Sequence, residues 1–445
     1  MEKYIAMVEK HRQLILDAMD YIWKNPEIGY KEWKTHKYLK DAFEKLGYQL
    51  TEAGNIPGFV TTLDTGRPGP TLLVFGEMDG LIIPDHPNAD PETGAVHACG
   101  HCCQVAALLG LAAALKEPGA TDEMCGKIML CAVPAEELID LEGRMQMRKD
   151  GIIKYFGGKP EFLYRGLLDG ADLAFMVHTA GGTTFGCNGG SNGMIAKTVC
   201  FEGVAAHAGA APHRGVNALY AANLALSAIN ALRETFQDAS HIRVHPVITC
   251  GGSSVNAIPD KVTLESYIRG ATMEDIALVN KKVNRAIAGS AAALGANAKI
   301  VDLPGYWPRN YHLPFVETFG KAVEAVAPFK HTPAGWGTGC SDMGDICAVM
   351  PAIHPYVGGS SGTAHSVTYK VVDPELACVT SAKGQLLAVK ALLENDAQKA
   401  KEIVAEYVPV MESKEAYFQF VDNLDMDKRT VTYQEDGTVT LDFSK

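Results

Sequence analysis

Apolar positions along the 445-residue chain change period several times, and each change marks an element. Near the N-terminus Ile5, Val8, Leu14, Ile15, Met19 and Ile22 recur at helical spacing among charges, which predicts an amphipathic helix laid on a core. Three short apolar runs follow: Thr71-Leu-Leu-Val-Phe75, Lys127-Ile-Met-Leu-Cys-Ala-Val133 and Ala171-Asp-Leu-Ala-Phe-Met-Val177. They are rich in strand formers, and residues 104–116 between the first two carry a helical pattern. Strand, helix, strand at this spacing predicts a βαβ unit. The fold class that follows is α/β, a mixed, largely parallel sheet flanked by helices.

A second block, residues 192–304, has a different rhythm. Residues 195–201, 244–251 and 261–269 read as strands, and residues 216–236 and 273–294 as helices, enough for an inserted α+β module. Helical patterns return at 315–326 and 374–393, so the chain re-enters its first domain. The expected organisation is a discontinuous catalytic domain, 1–191 and 305–445, interrupted by a smaller domain at 192–304. The tail after Val408 is charged and ends in a predicted hairpin around Glu435-Asp-Gly437.

Composition narrows the partners. Forty basic against 52 acidic residues leave a net charge of −12, and with no basic block this argues against nucleic acid and anionic membrane surfaces. Small molecules and proteins remain. The apolar stretch 103–115 is shorter than the roughly 18 to 20 residues a membrane-spanning helix needs, so no transmembrane segment is expected. The N-terminus lacks the continuous apolar core of a signal peptide. Eleven cysteines, an odd number dispersed from Cys99 to Cys378, do not resemble a disulfide framework, and a reducing, cytoplasmic setting is the expectation.

Residues able to carry chemistry follow the strand runs, where open α/β sheets place their ligand sites. Asp79 follows the first run, Glu136 and Glu137 the second, and His178 the third. His97-Ala-Cys-Gly-His101 sets a thiol and an imidazole two residues apart, both suited to zinc. Alone, that pair fits a buried Cys beside a helix-capping His better than a metal site, and a Glu pair alone fits a solvated surface better than a catalytic one. Together Cys99, His101, Glu137, His178 and His365, the last leaving a Gly/Ser loop at 358–365, make five ligands. Five suffice for two metals sharing one ligand, with Glu136 left to move a proton, a task for which a metal-bound carboxylate is too weakly basic.

Seven segments in order resemble the successive motifs of the dinuclear-metal aminoacylase and carboxypeptidase family. They are Asn25-Pro-Glu-Ile-Gly-Tyr-Lys-Glu32, Glu77-Met-Asp79, His97-Ala-Cys-Gly-His101, Pro134-Ala-Glu-Glu137, His207-Ala-Gly-Ala-Ala-Pro-His-Arg-Gly-Val-Asn-Ala218, Asn256-Ala-Ile-Pro259 and Cys340-Ser-Asp-Met-Gly-Asp345. The branch resembled is that of amidohydrolases such as hippurate hydrolase, indole-acetyl-amino-acid hydrolase and aminobenzoyl-glutamate hydrolase. The resemblance implies that the inserted domain is a lid or dimerisation domain, that the protein is a homodimer, and that two divalent ions, zinc or manganese, are held by Cys99, His101, Glu137, His178 and His365. It implies Glu136 as general base, Asp79 as the carboxylate orienting a metal ligand, and His207 as donor to the scissile carbonyl. Asn256 and Arg269 match substrate-holding positions, an Arg fork suiting a carboxylate.

The implied activity is hydrolysis of the amide bond of N-acyl or N-aroyl amino acids or small dipeptides. Two alternatives remain: a cysteine-nucleophile amidase using Cys99 or Cys102 with His101, and a catalytically silent binding member of the family. Two departures stand out. The family branch usually continues Cys-Gly-His with Asp-Gly-His, where this chain has Cys102-Cys103-Gln104, and it has Glu77 where Asp is more usual.

Overall fold

Thr71–Glu77 is buried at every position, and Lys127–Val133 at every position but the first. Such two-sided burial explains why their apolar residues do not alternate. The two strands pair in parallel, Thr71 opposite Lys127 and Glu77 opposite Val133. The chain crosses between them through the helix His101–Leu115, every residue of which is buried. This is the expected βαβ unit.

The computed structural model describes residues 1–444, which form two units. The first comprises Met1–Gly190, Arg309–Trp336 and Ser341–Lys414. Its main sheet runs in the order Thr51–Glu52, Phe59–Asp64, Lys127–Val133, Thr71–Glu77, Leu173–Phe175, Ala352–Ile353. The last three junctions are parallel and the first two antiparallel, a mixed, largely parallel sheet.

Three expectations shift. The N-terminal amphipathic stretch is two helices, Glu2–Glu9 and Arg12–Lys24, with a third at Trp33–Lys45. The run at 171–177 is a strand only over Leu173–Phe175. His178 opens a separate strand, His178–Gly181, that pairs in parallel with Tyr356–Ser361, so the chain steps between sheets just before this residue. The 374–393 helix begins as the π-helical turn Glu375–Thr380 and continues as Ser381–Glu406, with a break at 394–397 where Asn395, Asp396 and Ala397 take positive φ. By length and composition Glu375–Glu406 could cross a membrane, but 72% of its most apolar window is buried inside the protein. It serves as a core helix.

The second unit comprises Ser191–Pro308, Gly337–Cys340 and residues 415–444. Its antiparallel sheet runs Arg243–Val244, Lys261–Gly270, Gly193–Glu202, Asn297–Pro304, Met426–Arg429, with Val247–Cys250 also on Lys261–Gly270. Alternate residues of Lys261–Gly270 are buried, and the helices Ala218–Leu232 and Met273–Ala293 pack on the sheet. Asn217 and Thr272 cap these helices by accepting backbone N–H groups. The tail differs from the expected grouping of 305–445 with the catalytic domain. Met426–Arg429 extends the sheet beside Asn297–Pro304. The hairpin Val431–Tyr433 with Val439–Leu441, turning at Gly437, packs on the helix Met273–Ala293. Strands this short carry too little apolar pattern to announce their partner.

Candidate metal centre

The thiol and the first imidazole are presented by a turn that only glycine can make. Gly100 has φ +91°, and a Cβ there would meet the Tyr369 hydroxyl at 2.4 Å. His101 then begins the buried helix. Its Nδ1 lies 2.8 Å from the Asp79 carbonyl oxygen and 3.0 Å from Asp79 Oδ1. A carbonyl oxygen only accepts, so Nδ1 is the donor and Nε2 is the atom left to face a ligand. Nε2 has no hydrogen-bond partner among the described residues. His178 repeats the device: Nδ1 donates to the Thr179 carbonyl oxygen at 2.7 Å, and Nε2 points to Cys99 Sγ at 3.3 Å.

The electrostatics agree with this arrangement. Burial alone would raise the Cys99 thiol, but the imidazoles of His178 and His101 outweigh it and hold the thiol well below its usual range. The rings are pushed up in return: burial opposes their charge, and Cys99 overcomes it. A thiolate between two imidazoles has the charge a metal needs at sulfur, with Nε2 protons a cation would displace.

The carboxylates come from the loop after Lys127–Val133. Glu137 Oε1 lies 3.2 Å from His365 Nε2. The Glu137 N–H donates to Asp79 Oδ2 at 2.8 Å, so one carboxylate orients both His101 and Glu137. Burial pushes the Asp79 carboxyl up, yet its hydrogen bond with His101 prevails and holds it at about 2. Burial, then the Cys99 charge, push Glu137 up to about 7. His365 has φ +61°, and its N–H donates to the Ala98 carbonyl oxygen at 3.0 Å. Hydrogen bonds with Cys99 and then Glu137 raise its imidazole to about 11. Glu136, buried, has Oε2 4.0 Å from His101 Nε2. Burial, then Glu77 and Glu137, raise its carboxyl well above the usual range.

Three groups of candidate ligands emerge: Cys99 with His101 and His178, Cys99 with Glu137 and His365, and Glu77 with His101 and Glu136. In each, the candidate ligand atoms lie within 4.8 Å of one another. All five sequence-derived ligands, Asp79 and Glu136 thus converge in the first unit. His207, Asn256 and Arg269 belong to the second. There His207 and Asn256 are exposed on neighbouring loops joined by the Ala208 N–H to Asn256 carbonyl bond, and Arg269 is half-buried on Lys261–Gly270.

Sequence reasoning missed a buried cluster beneath the ligands. Lys159 Nζ donates to Glu77 Oε1 at 2.5 Å and to Asp342 Oδ1, and Gln104 Nε2 donates to Glu77 Oε2 at 2.9 Å. Glu77 Oε2 lies 3.3 Å from His101 Nε2. Cys102 and Cys103 are fully buried in the hydrophobic core, and burial pushes the Cys102 thiol up.

Known proteins agree in fold and sequence. Residues 189–293 match the peptidase dimerisation domain of the M20 family. The indole-3-acetyl-aspartic acid hydrolase of Enterobacter agglomerans is 33% identical over 263 residues, 56% of this chain and 55% of that protein. The Xaa-Arg dipeptidase of Mus musculus is 28% identical over 370 residues, 78% of this chain and 77% of that one. In fold, the chain resembles the crystal structure of a Bacillus subtilis dinuclear metal-binding peptidase of the M20 family, with a TM-score of 0.62 at 20% identity, covering 86% of this chain and 98% of that one. Residues 189–293 are thus an M20 peptidase dimerisation domain inserted in a mixed α/β fold like that of M20 peptidases, and the chain is a hydrolase of amide or peptide bonds.

Proposed function

We propose that the protein is a dinuclear metal-dependent amidohydrolase that cleaves the amide bond of N-acyl or N-aroyl amino acids or small dipeptides. The observation that carries this reading is the pair of ligand groups sharing Cys99, with the buried Glu136 beside them. The donor set fits zinc or manganese: a low-lying thiolate, imidazole Nε2 atoms whose rings are pinned through Nδ1, and one carboxylate. One ion would be held by Cys99, His101 and His178, the other by Cys99, Glu137 and His365. Bound there, the ions would supply positive charge that acidifies a water and polarises the scissile carbonyl.

Glu136 supplies the proton transfers. Its carboxylate takes a proton from water as the oxygen adds to the carbonyl carbon, and gives that proton to the nitrogen as the C–N bond breaks. The second proton of the water follows from the new carboxyl group to the amine, and the products are a carboxylate and an ammonium. Asp79 acts through His101 and Glu137, holding both in place. We assign His207 to the scissile carbonyl and Asn256 and Arg269 to the substrate's amide or carboxylate, on the resemblance of their motifs. The conjugate hydrolase and the dipeptidase among the relatives support the substrate class, and the matched dimerisation domain supports a homodimer. A reducing, cytoplasmic compartment is part of the reading, because an oxidised Cys99 could not bind metal as thiolate.

The test is metal analysis of the purified protein, then a hydrolysis screen over acyl amino acids and dipeptides, with Glu136→Gln as control. The variant should keep its metal and fold and lose at least about 100-fold in turnover, the low end for a proton-transfer catalyst. An unchanged rate would sink the assignment of Glu136.

A further inference from the structure

The segment Asn25-Pro-Glu-Ile-Gly-Tyr-Lys-Glu32 takes no part in the chemistry above, yet its contacts converge on the turn that carries Glu136 and Glu137. Glu32 is fully buried, and its Oε1 accepts the Ala135 N–H at 2.8 Å. Ala135, immediately before Glu136, has φ +59°, a left-handed conformation that residues bearing a Cβ rarely adopt. Gly29 lies against the same residue: a Cβ there would stand 2.8 Å from Ala135 Cα and 2.4 Å from the Arg144 guanidinium. Tyr30 reaches the carbonyl oxygens of Tyr155 and Gly157 through its hydroxyl, and its ring lies 5.5 Å from the Arg144 guanidinium carbon. Arg144 in turn donates to the carbonyl oxygens of Glu137 and Phe156. Glu137 is therefore gripped at its carbonyl by Arg144 and at its N–H by Asp79, and Ala135 is gripped at its N–H by Glu32.

We propose that Glu32 is a positioning residue whose carboxylate locks Ala135 in the left-handed turn and so sets the direction in which Glu136 and Glu137 leave the strand Lys127–Val133. Gly29 and Arg144 complete the clamp. The inference rests on the reading of Glu136 as proton carrier and Glu137 as metal ligand. Its signature is a coupling rather than a loss. An alanine released from Glu32 falls back to the right-handed region, whereas a glycine holds positive φ without help. Ala135→Gly should therefore make Glu32 dispensable.

The experiment uses the full chain and four variants: Glu32→Ala, Glu32→Gln, Ala135→Gly, and Glu32→Ala with Ala135→Gly. Two quantities are read, Zn²⁺ affinity by competition with a chromophoric chelator, and kcat and KM on a cleaved acyl amino acid. Glu32→Ala should weaken Zn²⁺ binding and lower kcat by about tenfold each, the low end for a residue supporting a metal ligand, with KM little changed. The double variant should recover most of both losses. Glu32→Gln, which keeps an acceptor oxygen, should stay within about threefold of wild type on the same scale. Equal losses in Glu32→Ala and the double variant would mean a general packing role and overturn the clamp, as would wild-type affinity in Glu32→Ala. If Glu32→Ala does not fold, Glu32→Gln decides, a tenfold loss there overturning the proposal. If the wild type binds Zn²⁺ but cleaves nothing, the catalytic reading fails while the affinity series still judges the clamp.

Discussion

Lys159→Met removes an ammonium that two buried acids share. The Lys159 side chain is fully buried, its Nζ 2.5 Å from Glu77 Oε1 and bonded to Asp342, with the Phe75 ring centroid 5.6 Å away. Methionine keeps the volume and fits the aromatic contact, so the perturbation is electrostatic. Removing one partner of a buried ion pair costs about 3 to 5 kcal/mol, because the other charge stays buried. Part of that returns by proton uptake. Burial already pushes Asp342 up to about 6 against the opposing Lys159 charge. Without the lysine its carboxyl rises further and can take up a proton, at about 1.4 kcal/mol for each pH step between its pKa and the medium. We expect a net loss of about 3 kcal/mol at pH 7.5. The loss depends on pH in one direction. In the variant the folded pKa of Asp342 exceeds its unfolded value, so stability falls as pH rises through the folded pKa and returns on acidification. Amide hydrogen exchange along His101–Leu115 is the assay, since it reports the unit that holds Lys159. A deficit under about 1 kcal/mol at pH 7.5, below the range for a broken buried pair, or one that grows toward pH 5.5, would refute the reasoning.

Other perturbations separate the remaining readings. EDTA should abolish hydrolysis and Zn²⁺ or Mn²⁺ restore it, while iodoacetamide leaves the metal-loaded enzyme active. The reverse pattern would favour a thiol nucleophile at Cys99, whose Sγ lies 3.3 Å from His178 Nε2. In the second unit Lys197 is buried against Asp302, which also accepts from Asn280 at 2.7 Å and Asn284 at 2.8 Å. Asp302→Ala should cost about 3 kcal/mol in exchange protection of Met273–Ala293, and a loss below about 1 would mean that the lysine finds another partner. Deleting residues 415–445 bares the Asn297–Pro304 strand now paired with Met426–Arg429. Light scattering should then detect self-association, and a monodisperse truncated chain would count against edge protection as the tail's role.

The ligands were legible because they are anomalies in strong local patterns. Acids at Asp79, Glu136 and Glu137 directly follow runs of buried apolar residues, and a Cys-x-His pair opens an otherwise apolar helix. The support beneath them was not, since its partners are 82 and 183 residues apart and no period relates them. Lys159 sits in Gly157-Gly-Lys-Pro160, a stretch with no apolar pattern to mark it as core, yet it is fully buried. The two departures from the family pattern show what such distance conceals. Along the sequence, Glu77 and Gln104 each cast doubt on the metal and the substrate. In space they touch, the longer acid taking the neutral amide as donor at 2.9 Å, with Lys159 supplying the positive charge on its other oxygen. A histidine at 104 could have carried positive charge itself, whereas glutamine cannot. Glu77 and Gln104 thus pair with each other on the Nε2 side of His101, and the five candidate ligands are all retained. Of the two departures, Glu77 is the one that reaches a candidate ligand directly, its Oε2 standing 3.3 Å from His101 Nε2.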